Sequence, residues 1–430
     1  MKFRRISRVF GTLHSSVFSS LTLGSIGVTI FCGYWFLVRS PSKIQANLPQ
    51  LPQDPSVQVY FNHDRAVEFT EPYRPKTRPG ADLAAKLINA IDSSQSQIDV
   101  AVQEFQLPNI AQALAAKSQA GIRVRVIVEH NYSRPLSELA TADIAGLTPR
   151  EREHYQAFQQ LVDIDGNGTL SPAEINQRDA LIILRNAKIA ILDDTADGSR
   201  GSGLMHHKFM VIDGHQVIVT SANWTMSDIY GDFSHPDSQG NQNNLVQIES
   251  DQLAAAFTNE FNLMWGDGNT PNQISRFKAR KPARLPVEVS VGKTRVLVQF
   301  SPTSKQQAWE DSSNGSIGKL LSTSQQQVDF ALFVFSEPGL GNILQTQSQR
   351  GVKVRGTIDR GFAYRDYSSG LSLMGVAGDN GCQAAGTNSP PPLETIGVPT
   401  LPTGDLLHHK FAVIDRKTVI TGSHNWSNAA

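Results

Sequence analysis

Two stretches of this chain repeat one another. His206-His207-Lys208-Phe209-Met210-Val211-Ile212-Asp213 leads to Thr220-Ser221-Ala222-Asn223-Trp224. His408-His409-Lys410-Phe411-Ala412-Val413-Ile414-Asp415 leads to Thr421-Gly422-Ser423-His424-Asn425-Trp426. Residues 57–61, 97–102 and 121–125 recur in the same order as 296–300, 327–332 and 351–355. A pattern written twice is folded twice, which constrains the chain to two similar halves. In each half, short Val/Ile-rich runs alternate with helical patterns such as residues 82–91 and 110–119, the order of an α/β fold. The expected architecture is two α/β halves, each a mixed, mostly parallel sheet flanked by helices, with the functional site between them. They should span 57–268 and 290–430, with linkers at 41–56 and 269–289. The second linker carries Arg276, Lys278, Arg280, Lys281 and Arg284. It reads as a solvated connection, or as a contact for anionic lipid or nucleic acid. Residues 378–404, with prolines at 390–392, read as a loop beside the second motif.

Residues two apart on a strand point the same way. His206 and Lys208 therefore share a face with Met210 and Ile212, while His207 and Asp213 face away; His408 and Lys410 repeat the arrangement. Splitting a phosphodiester needs a nucleophile, an acid for the leaving oxygen and donors for the phosphoryl oxygens. Two imidazoles, which titrate near neutral pH, can divide the first two tasks. Two lysines with Asn223 and Asn425 can perform the third. One copy supplies half of such a site, which gives the duplication a chemical reason.

In these residues the chain resembles the phospholipase D superfamily, marked by paired HxKxxxxD motifs followed by GSxN. The resemblance spans about residues 55–430, one insertion excepted. It implies hydrolysis through a phosphohistidine, with no cofactor for catalysis. One of His206 and His408 attacks phosphorus, and the other protonates the leaving group and then activates water; His206 is the expected nucleophile. Lys208, Lys410, Asn223 and Asn425 would hold the phosphate, with Ser221 and Ser423 nearby. Asp213 and Asp415 would fix the local backbone. Two departures stand out. Thr220 occupies a position where the family usually has Gly. Asn241-Gln242-Asn243-Asn244 occupies the place of an Asn-x-Glu-Asn-like element, so Asn243 replaces the acid that supports a catalytic histidine.

The halves differ in two further ways. Residues 148–180 are an insertion holding Asp163-Ile164-Asp165-Gly166-Asn167-Gly168-Thr169-Leu170-Ser171-Pro172-Ala173-Glu174. This matches the twelve-residue EF-hand loop: side-chain oxygens of Asp163, Asp165, Asn167 and Ser171 at positions 1, 3, 5 and 9, the Thr169 carbonyl at 7 and Glu174 at 12. Thr148 and Ser171 each begin a capping box, predicting an entering and an exiting helix. The expected ligand is Ca2+, in a structural or regulatory role; the alternative is an acidic loop of similar composition. After Asn223 the first half continues through a predicted strand near 244–248 and a helix near 251–265. The second half has five residues after Asn425. The expectation is an incomplete second half with an unpaired edge, as in a clipped sequence.

The chain carries 39 Lys+Arg and 39 Asp+Glu. Lys2, Arg4, Arg5, Arg8 and Arg39 face no acid within residues 1–40, so the remainder is acidic, an argument against binding nucleic acid through bulk charge. Residues 17–38 form an apolar run long enough to span a bilayer behind a basic start. The expectation is a membrane anchor with an exported body, or a removed signal that leaves the body secreted or periplasmic. A buried N-terminal helix is the remaining reading. Cys32 and Cys382 form neither a disulfide framework nor zinc spacing. The leading function is hydrolysis of phospholipid head groups. A nuclease of the same superfamily, and a catalytically impaired calcium- and phosphate-binding protein, are the alternatives.

Overall fold

A computed structural model describes residues 48–199, 203–266, 274–302, 308–376 and 391–428. The apolar run 17–38 and both cysteines lie outside these. Among the described residues no helix is long and apolar enough to cross a membrane.

The first half is built on β1 (Val57–Phe61), β2 (Gln97–Val102), β3 (Arg123–Val128), β4 (Ala190–Asp193), β5 (Lys208–Ile212), β6 (Gln216–Thr220) and β7 (Asn244–Glu249). They form one sheet in the order β1-β7-β6-β5-β2-β3-β4. A hairpin of β8 (Val287–Val291) and β9 (Thr294–Val298) follows. The second half has β10 (Gln327–Leu332), β11 (Lys353–Ile358), β12 (Ile396–Gly397), β13 (Lys410–Ile414) and β14 (Thr418–Ile420), ordered β12-β11-β10-β13-β14. The duplication holds to the register. Val102 pairs with Lys208 on β2·β5, and Leu332 pairs with Lys410 on β10·β13.

Both sheets are mixed, but the balance is not the mostly parallel one expected. In the first, β2·β3 and β3·β4 are parallel, while β5·β2, β6·β5, β7·β6 and β1·β7 are antiparallel. The reason is the motif itself. Each copy is one arm of a hairpin, and a three-residue connection permits only an antiparallel pair. The central residues of these turns, Asp213-Gly214 and Asp415-Arg416, all have positive φ, matching the twist of the strands they join.

The longer helices are α1 (Leu83–Ser93), α2 (Pro108–Gln119), α3 (Pro149–Val162), α4 (Pro172–Arg178), α5 (Ala180–Asn186), α6 (Asp251–Trp265), α7 (Ser313–Ser322) and α8 (Pro338–Gln349). Alternation along β5 sends Met210 and Ile212 into a core with α1, α2 and α5, and Phe209 and Val211 into a second core with α6. Burying Phe257 and Phe261 of α6 is worth roughly 1.5–3 kcal/mol each. In the second half, Ala412 and Ile414 of β13 meet α7 and α8. Among the described residues no helix covers the opposite face, and Val419 on the edge strand is 62% exposed. Strand β14 is last in the order of this sheet.

Residues 296–300 do not mirror 57–61. β1 holds its place by pairing with β7, from Val57↔Ile248 to Phe61↔Asn244. The second sheet offers no such neighbour among the described residues. The β8–β9 hairpin instead lays Val289 and Val291 on the α6 core, with Phe300 5.0 Å from Phe257. The basic linker is corrected likewise. Lys281 Nζ lies 2.5 Å from Glu260 Oε1 and Arg284 Nε 3.3 Å from Glu260 Oε2, both behind α6 rather than in solvent. Residues 391–404 are more than a loop, since β12 pairs with β11 and buries Ile396.

Candidate active site

Lys208 and Lys410 open β5 and β13, which puts His206 and His408 just ahead of the strands. Lys208 Nζ donates to Gln103 Oε1 at 3.0 Å and to the His206 carbonyl at 3.1 Å. Lys410 Nζ donates to the His408 carbonyl at 2.5 Å and stands 4.8 Å from the Phe333 ring centre. Gln103 and Phe333 occupy equivalent positions after β2 and β10, so one lysine faces an amide and the other an aromatic face.

The first half reaches across to build the second motif. Gln242 N–H donates to the Leu406 carbonyl at 2.7 Å, and His408 N–H donates to the Gln242 carbonyl at 3.0 Å. Asp405 accepts from Ser238 Oγ at 2.5 Å, Gln239 N at 2.8 Å and Gly240 N at 3.0 Å. Gly240, at φ +83, has a backbone other residues avoid.

This strap fixes the His408 ring. Asn244 N–H donates to Ser221 Oγ at 3.0 Å, Ser221 Oγ donates to Asn243 Oδ1 at 2.7 Å, and His408 Nδ1 lies 3.0 Å from the same oxygen. Asn243 Nδ2 donates to the carbonyls of Asp228 and Asn241, which sets the orientation of the amide. His408 Nδ1 therefore carries the proton and Nε2 keeps its lone pair. The His206 ring makes no hydrogen bond among the described residues. Burial pushes both imidazoles well below the ordinary histidine range, and Lys208 and Lys410 push each further. Each ring feels the lysine of the other half, so the two motifs share one site. Burial also lowers Lys208 to about 7.

Asp213 and Asp415 lie at the far end of their strands. Asp213 accepts from the backbone N–H groups of Gln95, Ser96 and Gln97, and Asp415 from those of Gln325, Gln326 and Gln327. Both staple a turn and touch no reacting group. The buried carboxamide oxygens of Asn223 and Asn425 have no partner among the described residues, so both amides keep unused hydrogen-bonding capacity. Ser221 needs correction as a phosphate contact: it is fully buried and its hydroxyl is consumed in the relay to Asn243. Ser423 sits half-buried after β14. The Thr220 hydroxyl bonds the Ala222 carbonyl, and no motif group is displaced. His207 turns away to Glu260 at 3.1 Å, and His409 to Asn244 Oδ1 at 3.1 Å.

Two site residues escape a reading by motif. Asp228 is buried, accepts from Asn223 N–H at 2.6 Å and places Oδ1 3.8 Å from His408 Nδ1. Its only sequence signal is a helix-start pattern with Thr225. His424 takes the variable position of the second Ser-x-Asn and bonds Asn314 at 2.9 Å. It is close enough to lower His206, and burial takes its own ring to about 4.

In the insertion, α3 and α4 flank the loop, each with the expected capping box. Oxygens of Asp163, Asp165 and Glu174 lie within 4.8 Å of one another. Asp163 accepts from Gly168 N–H at 2.8 Å, and Thr169 N–H donates to Asn167 Oδ1 at 2.8 Å. The Ser171 hydroxyl bonds Glu174 at 2.7 Å, which helps hold that carboxyl down to about 2. On the inner side, His154 of α3 bonds Glu104, next to Gln103.

The sequence family described as cardiolipin synthase, PLD-like domain, matches residues 87–265 and 317–430. The chain belongs to this family. The two matched segments of the PLD-like domain carry one motif each. Among curated relatives, human mitochondrial cardiolipin hydrolase is 23% identical over 202 residues, 47% of this chain and 58% of the relative. The mouse counterpart is 34% identical over 122 residues, 28% of this chain and 46% of the relative. The chain thus spans less than two thirds of these relatives. Among solved structures, a phosphatidylserine synthase from Haemophilus influenzae aligns with a TM-score of 0.43 at 16% identity, covering 73% of this chain and 63% of that one. Nuc, a phospholipase D family member from Salmonella typhimurium, aligns with a TM-score of 0.28 at 18% identity, covering 49% and 93%.

Proposed function

We propose that this protein is a phosphodiesterase that hydrolyses phospholipid head groups through a phosphohistidine. The observation that carries the reading is the union of His206, Lys208, His408 and Lys410 in one buried site, in a chain of the PLD-like family. His408, with its proton fixed on Nδ1, is the better nucleophile, which reverses the expectation for His206. His408 Nε2 bonds to phosphorus, the P–O bond breaks, and His206 protonates the leaving oxygen from its imidazolium form, which the bound anionic diester favours against the lysines. Water then attacks phosphorus, its proton passes to His206, and the P–N electron pair returns to Nε2. Lys208, Lys410, Asn223 and Asn425 hold the phosphoryl oxygens. The test is incubation with cardiolipin, phosphatidylcholine and single-stranded DNA, each with and without chelator. Lipid hydrolysis that survives chelation is expected. Cleavage of DNA alone would turn the reading to a nuclease, and absence of turnover on all three would turn it to a binding protein. The acidic remainder of the chain favours lipid over DNA, and residues 17–38 would bring the body to a membrane surface as an anchor or leave it exported.

A second reading concerns the insertion: Asp163, Asp165, Asn167, Thr169, Ser171 and Glu174 bind Ca2+, favoured by the three converging carboxylates. Bound Ca2+ stabilises by mass action, about 2.7 kcal/mol at a hundredfold excess over Kd. A rise in melting temperature on adding calcium, absent in Glu174→Gln, is the expected result; an unmoved melt would reject the site.

A further inference from the structure

We propose that Asp228 supplies the negative charge that supports His408 when its ring becomes cationic, taking over from the acid that the family places at position 243. The inference rests on the phosphodiesterase reading above and adds a positioning residue to it.

Asn243 is not equipped for that task. Its amide nitrogen faces two carbonyl oxygens, at 2.9 Å from Asp228 O and 3.2 Å from Asn241 O. A carboxylate there would set oxygen against oxygen with no proton between them, so the local backbone selects an amide. The amide orients the ring but carries no charge. Asp228 approaches the same Nδ1 and is held from both sides: Oδ2 by Asn223 N–H at 2.6 Å, Oδ1 by Asn241 Nδ2 at 2.5 Å. It is 4% exposed. A buried carboxylate is costly unless cations face it: burial raises the Asp228 carboxyl above its ordinary range, and Lys208 and Lys410 oppose that rise.

The surrounding charges give that carboxylate its use. Lys410, Lys208, His206 and His409 all oppose a proton on His408. Of the nearby acids, Asp228 and Asp359 both face Lys410, and Asp228 and Glu104 both face Lys208. Among the described residues, Asp228 is the acid within 4 Å of the His408 ring. When Nε2 bonds to phosphorus and the leaving oxygen departs with its electron pair and the proton of His206, the ring keeps Nδ1–H and gains a positive charge. That charge arises 3.8 Å from Asp228 Oδ1, in an interior where Coulomb attraction is poorly screened.

The experiment follows the burst of p-nitrophenol from bis(p-nitrophenyl) phosphate and, in the substrate-free protein, the titration of His408 by 15N NMR. Asp228→Asn is expected to slow the burst at least about a hundredfold, with KM unchanged, and to move the His408 midpoint lower. Asp228→Glu should keep more than about a tenth of the burst rate and Asp228→Gln should not, a comparison that separates charge from fit if Asp228→Asn does not fold. A wild-type burst rate and an unmoved His408 titration in Asp228→Asn would overturn the proposal, as would equal losses in Glu and Gln. If the unaltered protein releases no p-nitrophenol, the phosphodiesterase reading fails, and the His408 titration still decides whether Asp228 acts on that ring.

Discussion

The two halves carry the same ion pair in the same register and treat it differently. Asp99 and Arg125 meet at 2.7 Å beneath α6, with the guanidinium 4.7 Å from the Phe261 ring and 5.3 Å from Trp265. Asp329 and Arg355 meet at 2.6 Å on the uncovered face of the second sheet, where the arginine side chain is 49% exposed. The pair is thus a property of the duplicated strands, and its worth is set by what lies over it. The motifs diverge in the same way. Lys208 is paired with an amide and Lys410 with an aromatic face; His408 is held by a relay from the first half and His206 is not. Duplication supplied equal parts, and the unshared surroundings gave them unequal roles.

The strongest way to break this comparison is to remove each histidine. His206→Ala and His408→Ala should each lower kcat on a lipid substrate at least about a thousandfold. With a p-nitrophenyl diester, whose leaving group needs no acid, His206→Ala should still form the phosphoryl-enzyme and stall there, whereas His408→Ala should form none. Trapping of the labelled enzyme in His408→Ala but not in His206→Ala would invert the assignment. The ion pairs are a second handle. Arg125→Ala strands the buried Asp99 carboxylate and should cost about 3–5 kcal/mol in denaturant unfolding. Arg355→Ala should leave the midpoint unmoved; equal losses would mean that cover does not matter.

A smaller effect sharpens the contrast between the lysines. Burial favours neutral Lys208 in the folded protein, with a value of about 7 against an ordinary 10.5. Between those values the unfolded chain binds more protons, so this group makes stability rise with pH across that window. Phosphate binding wants the ammonium, so KM should climb over the same range. Gln103→Leu, which removes an acceptor, should raise KM at pH 7 about tenfold. Phe333→Leu should change it less, and the reverse order would dissolve the distinction.

Much of the site was legible in the sequence because its signals are local. The spacing of His, Lys and Asp on a strand, and the capping boxes around the insertion, depend on neighbours a few residues away. Asn243 stood out through its departure from a family pattern. What escaped depends on distant partners. Asp228 reads as a helix-start residue until the fold brings it to His408. The burial of Lys281 is set by Glu260, and residues 296–300 follow the α6 core rather than their sequence counterpart because, among the described residues, no strand like the one that pairs with β1 lies beside them. Helical patterns predict crossovers and parallel neighbours, while the motif hairpins bring antiparallel pairs into both sheets.

The strap from Ser238 to Asn244 has one more consequence. The backbone of His408 is a rung against Gln242, so His408 acquires its orientation only after chain separated by more than a hundred and fifty residues has met. Contacts of such sequence separation form late, since the intervening loops must close first. Each half can gather its own core earlier through nearer neighbours. Turnover then becomes a stopwatch for the final docking step: in refolding, catalytic activity should lag behind the return of helical signal.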